Sequence, residues 1–346
     1  MGYASRGTTA PEAGALDHLG VFLPNAERAR GLASRVRLRV AESIAALCDR
    51  LAEHLSFDCD GLHGVARTIR TADRVRPEVF ALYHCLLDRI ATRDRSQIET
   101  VIGRLLAVEV NAAPIACLHL DQAVLGEPLA ALYVGNVSDE TDISFRLVPV
   151  SRAEFDAAAT SIDRDLRVIA EVAPECAHEC FELITELLIT SHDRAAGPFG
   201  GASSFQQWGA VVADVSGLVP ITRLVPTLLH EATHLLLFAM AIDEPLLSAA
   251  PGRRFASPLR DELRTMDGVY HATIVCARMH YGLGRLLDSG RLADAERAMV
   301  LRTMRYQHER FLAGARTILD NADLSSTAGR MLREADTYLA TRREAA

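Results

Sequence analysis

The sequence predicts a mainly α protein, with a small β element next to a helix that carries two histidines four residues apart. Three observations support this. Apolar residues recur at helical spacing over most of the chain, as at Val36, Val40, Ile44, Leu47 and Leu51. Helix-start signals precede several of these runs: Pro77 suits a first turn, and Ser96/Glu99 and Ser151/Glu154 have capping-box spacing. Strand-like patterns are confined to short stretches, mainly 143–150 and 208–215.

The elements follow in order. Pro11, Gly14, Gly20 and Pro24 break up the opening segment. Helices are expected over 34–55, over 76–91, and from a Ser96 cap through Ile98, Ile102, Leu105 and Leu106. Together they make a helical N-terminal lobe, 1–142, while 116–120 is a short strand or a loop crossing. The second region, 143–346, is expected to hold the chemistry. It opens with a strand over 143–150, where Pro149 favours an edge. Helices over 151–172 and 174–190 follow. Residues 195–204 are rich in turn formers and serve as an active-site loop or a plain connector. A strand over 208–215 leads to a helix starting near Pro226, then a loop over 249–254. A helical tract from Pro258 and helices over 291–319 and 325–342 complete the chain.

Composition limits the function. The chain has 346 residues, 49% of them hydrophobic, enough for one large domain or two ordinary ones with a substantial core. Net charge is −8, from 37 basic and 45 acidic residues, and no basic run dominates, which argues against nucleic acid as a partner. Every basic residue is Arg. No apolar run reaches the ~18 residues that span a bilayer, so no membrane partner is expected. The N-terminus lacks a signal-peptide core, and Arg6 occupies the Ser/Thr position of a myristoylation signal. A cytoplasmic location is therefore expected. The seven cysteines are scattered without a CxxC pair and are expected to be reduced thiols. Cys176, His178 and Cys180 lack a second ligand pair at zinc-finger spacing.

The most informative residues are His230, Glu231 and His234, inside the apolar run 224–240. Residues four apart on a helix share a face about 6 Å from one another. Two imidazoles so placed can bind one first-row metal ion, with Glu231 beside them. Leaving such groups buried and unpaired costs about several kcal/mol, and a metal ion is the simplest compensation. Two histidines alone make a poor site, so a third ligand is expected among Asp261, Glu262, His271 and His280. His271 shares a helical face with Ile274 and Val275, which points it inward, and it is assigned as the third ligand. His280 is expected to cap the helix or face solvent.

This motif most often means zinc, with the glutamate as general base for hydrolysis. The longer form with a third histidine is absent, because Leu237 and Met240 occupy its glycine and histidine positions. A glutamate third ligand is available only as Glu262. Non-haem iron, which binds imidazoles and activates O2, is the other metal that suits the set. Arg260, Arg264 and Arg278 offer planar forks for a carboxylate. The first two are expected one helical step apart, and Arg278 two turns after His271 on the same face.

These residues resemble a known family, the 2-oxoglutarate-dependent peptide β-hydroxylases of the HExxH type that tailor ribosomally made peptide natural products. The resemblance rests on Leu229-His-Glu-Ala-Thr-His-Leu235, on the acidic-ended strand at 210–214, on Ser257-Pro-Leu-Arg260 and on Gly268-Val-Tyr-His271-Ala. It covers about 195–285. It implies Fe(II), 2-oxoglutarate and O2, with hydroxylation of a β-carbon in a precursor peptide made of leader and core. It implies iron held by His230, His234 and His271, with Glu231 orienting a ligand or water. One of Arg260, Arg264 and Arg278 would bind 2-oxoglutarate, and the N-terminal lobe would help hold the peptide. The alternative is a zinc-dependent metallopeptidase using Glu231 as base, with Glu262 or His271 as third ligand. A helical binding protein with a degenerate metal motif is a third possibility.

Overall fold

Most of the described helices begin where a side chain or a proline satisfies the first turn. A computed structural model describes residues 20–113, 115–120, 127–141, 147–192, 200–215, 220–260 and 262–344. The chain is mainly α, with eleven α-helices and a few short strands among the described residues. α1 (Ala26–Leu51) starts earlier than expected because Asn25 caps it, accepting from the Arg28 backbone N–H. α2 (Cys59–Thr71) was not anticipated. Gly61, His63 and Gly64 interrupt its apolar pattern, yet Leu62, Ala66 and Ile69 form a buried stripe, and Asp58 caps it. α3 (Pro77–Thr92) has Pro77 in its first turn, as the sequence predicts. α4 (Arg95–Ala107) is capped by Asp94, whose carboxylate accepts from Gln97 N–H at 3.1 Å, and not by Ser96.

β1 (Ala116–His119) resolves the ambiguous 116–120 segment as a strand. α5 (Glu127–Thr141) is a further helix the pattern did not announce. Of the strand expected over 143–150, only β2 (Leu147–Val148) is seen. α6 (Arg152–Val172) opens on the predicted Ser151/Glu154 capping box. α7 (Pro174–Leu183) is shorter than the expected 174–190 helix, because the chain turns at Ile184 into β3 (Glu186–His192). Then come β4 (Gly201–Ser203), β5 (Ala210–Asp214), α8 (Ile221–Met240), β6 (Leu247–Ala249), α9 (Met266–Asp288), α10 (Asp294–Asn321), β7 (Ala322–Leu324) and α11 (Ser326–Glu344). Residues 1–19, 142–146, 193–199 and Asp261 lie outside the described residues. With them go the expected irregular N-terminal segment and its signals, part of the 143–150 strand, and much of the turn-rich stretch.

The main sheet runs β1-β3-β5-β4. β1, β3 and β5 are parallel, β4 is antiparallel to β5, and β2 pairs antiparallel with the end of β3. All of β5 is buried, and so are Leu187, Leu188 and Ile189 of β3, as expected of parallel strands covered on both faces. β6 and β7 make a separate two-stranded ribbon.

One large apolar cluster includes Val21, Val36 and Leu82 from the first part of the chain and Leu236, Ile274 and Leu339 from the second. β1 joins β3 across the boundary expected at 142/143, and α1 packs on α7 and α8, so that boundary does not separate two cores. α8 and α9 pack against each other. Their close approach depends on Gly282, where a Cβ would overlap the Leu229 side chain. Cys48 and Cys59 form a disulfide between α1 and α2, contrary to the expectation that all seven thiols are reduced. Cys85, Cys117, Cys176, Cys180 and Cys276 are free. No described helix is long and apolar enough to cross a membrane.

Candidate metal centre

α8 is covered on most of its circumference. Leu224, Leu228, Leu229, Ala232, Leu235 and Leu236 are buried, while Thr227, His230, His234 and Phe238 form a partly exposed stripe at three- and four-residue steps. Both motif histidines therefore lie on the one face the core does not cover. The helix starts at Ile221, after Pro220, and not near Pro226, which lies inside it and forfeits one ladder bond. His230, His234 and Phe238 line a cavity of about 400 Å³.

α9 supplies the opposite wall. Thr265 caps it, accepting from Gly268 N–H at 3.3 Å, and the first part of the helix presents Asp267, Gly268 and His271 to the cavity. His271 thus points where the sequence predicts. His234 Nδ1 lies 3.1 Å from His271 Nδ1, and His234 Nε2 lies 3.2 Å from His230 Nε2. Phe238, one turn beyond His234, packs beside both rings, with centroids 6.2 Å from His234 and 5.1 Å from His271.

Desolvation in the cavity wall favours the neutral form of the three half-buried imidazoles. Desolvation lowers His234 to about 4 and His271 to about 3, and His230 well below the ordinary histidine value. Neighbouring rings add to this for His230 and His271, and Arg260 adds to it for His230 and His234. Neutral imidazole is the metal-binding form. Two nitrogens on one cation at about 2.1 Å stand roughly 2.9–3.4 Å apart, which both N···N separations match. However, His234 faces its two neighbours with different nitrogens. The three rings are not among the described groups whose donor atoms lie within 4.8 Å of one another. The donor chemistry fits a cation, and binding it through all three requires a ring to turn.

Glu231 lies behind the histidines. It is 3% exposed, and its Oε2 accepts from Ser203 Oγ of β4 at 2.8 Å. Its Oε1 is 3.9 Å from His230 Nε2. Burial pushes its carboxyl up to about 7, against the opposing pull of the Ser203 hydrogen bond and Arg260. Arg254, Arg260 and Arg264 line the cavity near its mouth. Burial and the neighbouring Arg264 lower Arg260, and Glu262 and Glu231 oppose that shift.

Several sequence expectations change. Residues 257–260 and 262–265 are not helical; Phe255 and Arg264 form an isolated antiparallel bridge, so Arg260 and Arg264 reach the cavity from non-helical segments. Arg278 does not reach it at all. Seven residues carry it about 10 Å along the axis from His271. There it is fully buried, donates to the Phe22 carbonyl at 2.6 Å and pairs with Glu179, which Arg28 also contacts at 3.1 Å. Glu262 is exposed and not part of the cavity wall, so it is not placed to be a ligand. His280 neither caps nor faces solvent; it is 5% exposed, with Nδ1 3.2 Å from Tyr338 Oη. The sequence reading missed Ser203, Phe238 and Arg254. Phe238 could have been found as the next i+4 step after His234, whereas Ser203 and Arg254 carry no local signal.

The chain matches no protein-family model and no curated protein.

Proposed function

We propose that the protein is a cytoplasmic Fe(II)/2-oxoglutarate-dependent dioxygenase that hydroxylates a side-chain β-carbon in a ribosomally made precursor peptide. The observation that carries this is the meeting of three imidazoles, His230, His234 and His271, across a cavity also lined by Arg254, Arg260 and Arg264. Three imidazole ligands on one cation leave the positions a keto acid and dioxygen need.

Bound there, Fe(II) with 2-oxoglutarate and O2 would supply the oxidant for the peptide C–H bond. The chain's own residues do the rest. His230 and His234, fixed on one helix, set two ligand positions, and His271 completes the third by a turn of its ring. Arg260 or Arg264 binds the distal carboxylate of the keto acid, a task suited to a planar fork at a cavity mouth. Glu231, held by Ser203, orients a ligand or water. Phe238 presses on two of the rings and keeps water from that side. β4 is the end strand of the sheet and lines the cavity, and an end strand can pair with an extended peptide.

One observation favours a second reading, a zinc-dependent metallopeptidase: Glu231 Oε1 stands 3.9 Å from His230 Nε2, within one water of a cation at that ring. The two readings separate in one set of assays. The purified chain should consume 2-oxoglutarate only with added Fe(II), and a co-expressed candidate peptide should gain the mass of one oxygen. Stoichiometric zinc, peptide cleavage and complete loss of activity in Glu231→Gln would establish the peptidase instead.

A further inference from the structure

We propose that Cys48, Cys59 and His63 form a second cation site, of zinc-type chemistry, which becomes available when the Cys48–Cys59 disulfide is reduced. This inference is independent of the function proposed for the histidine cavity.

Among the described residues, these three make the one group of His, Cys, Asp and Glu whose donor atoms all lie within 4.8 Å of one another. Their placement follows from the local fold. Cys59 is the first residue of α2 and His63 lies one turn later, so both project from the same face of that helix. Asp58 fixes the first turn by accepting from Gly61 N–H at 2.8 Å. Cys48 comes from the last turn of α1 and is fully buried. Asp49, the next residue, accepts at Oδ1 from His63 Nε2 at 3.0 Å. A carboxylate that holds one nitrogen of an imidazole fixes the ring and leaves the other nitrogen for a metal.

Two sulfurs and one imidazole suit zinc, with about 2.3 Å to sulfur and 2.0–2.1 Å to nitrogen. Tetrahedral geometry then needs the sulfurs roughly 3.8 Å apart. Side-chain rotation reaches that from Cα atoms 6.0 Å apart without moving either helix. His63 keeps 30% of its side chain exposed, so solvent can take the fourth position. The disulfide alone would be an ordinary staple between α1 and α2. It does not explain a histidine oriented by a carboxylate beside the two sulfurs.

The two states exclude each other. A dithiol reductant supplies two electrons and two protons, the S–S bond breaks to give two thiols, and the reductant leaves as its own disulfide. Binding the cation releases both thiol protons. Metal occupancy then reports the redox state of the α1–α2 contact.

The test uses the full chain with His230→Ala and His234→Ala, so that the histidine cavity does not compete. After reduction by excess dithiol, and removal of the reductant under anaerobic conditions, Co2+ is the probe. One equivalent should give thiolate-to-cobalt charge-transfer absorption. Zn2+ should abolish that absorption and protect Cys48 and Cys59 from alkylation, as read by peptide mapping. His63→Ala, a partly exposed change that leaves the core intact, should weaken Co2+ binding by about tenfold or more. Absence of the charge-transfer band in fully reduced protein would overturn the proposal. So would unprotected alkylation in Zn2+, a pair that resists reduction, or unchanged affinity in His63→Ala.

Discussion

The ionisable side chains around Glu179 and those around the histidine cavity meet the cost of desolvation in opposite ways. Around Glu179 the charges are kept and paired. Arg28 and Arg278 both bond its carboxylate, all three groups are almost completely buried, and the arginines also bond backbone carbonyls at Gly20, Leu23 and Phe22. Around His230, Glu231, His234 and His271 the charges are given up instead. Desolvation keeps the rings neutral and raises the carboxyl to about 7, while a cavity stays open beside them. The first arrangement fastens the segment before α1, α1 itself, α7 and α9 together. The second leaves donor nitrogens with little to bond except one another. That difference is why the chemistry is assigned to the second.

Substitution should separate the two groups most strongly. Glu179→Gln strands two buried guanidinium groups and should destabilise the fold by about 3–5 kcal/mol in denaturant unfolding. Glu231→Gln removes a carboxyl already close to neutral, and should change stability by less than about 1 kcal/mol. Equal losses in the two variants would erase the distinction drawn between them.

Acid should act next. His280 is held neutral at about 4, below the ordinary 6.5, by desolvation and by His308 and Arg342, with Tyr338 Oη against its ring. A lowered histidine contributes stability that is complete above pH 6.5 and is lost as pH falls through about 4. The His280 share of the unfolding free energy should therefore drop by up to about 3 kcal/mol over that window, beside the shares of His230, His234 and His271. His280→Gln should reduce the slope of that part of the profile. An unchanged slope in the variant would show that His280 is not responsible for it.

Gly282→Ala should cost about 1–3 kcal/mol, because the new methyl meets the Leu229 side chain between α8 and α9. A resulting shift between these two helices, which carry His234 and His271, should also weaken metal binding. Stability lost without any change in metal affinity would show that the rings tolerate a shift between the helices. The smallest effect is expected for Asp94→Ala, which removes the α4 cap for about 1 kcal/mol and should leave metal affinity alone.

The sequence made some of this legible, and the limits have physical causes. α3 and α6 announce themselves through a first-turn proline and a capping box, both local devices. α2 hides because two glycines and a histidine interrupt its apolar stripe. In the sequence β3 reads as part of the preceding helix because Leu183, Ile184, Leu187 and Leu188 also fit a helical period. A strand buried on both faces shows no alternation to contradict it. At the site, His230, Glu231 and His234 follow from spacing alone, and His271 from the apolar face it shares. Arg278 misleads because helical phase gives direction but not depth: it faces the same side and lies two turns away, against Glu179. Ser203 and Arg254 come from a strand and a loop that only the tertiary fold brings to the cavity.

In the proposed function His271 completes a three-imidazole cation site with His230 and His234. Anaerobic titration of the disulfide-intact chain with Fe(II) tests it directly. One ion per chain should bind, His271→Ala should weaken binding by at least about 100-fold, beyond what the loss of an orienting partner costs, and Glu262→Ala should leave it unchanged. Full affinity in His271→Ala together with loss of binding in Glu262→Ala would contradict it.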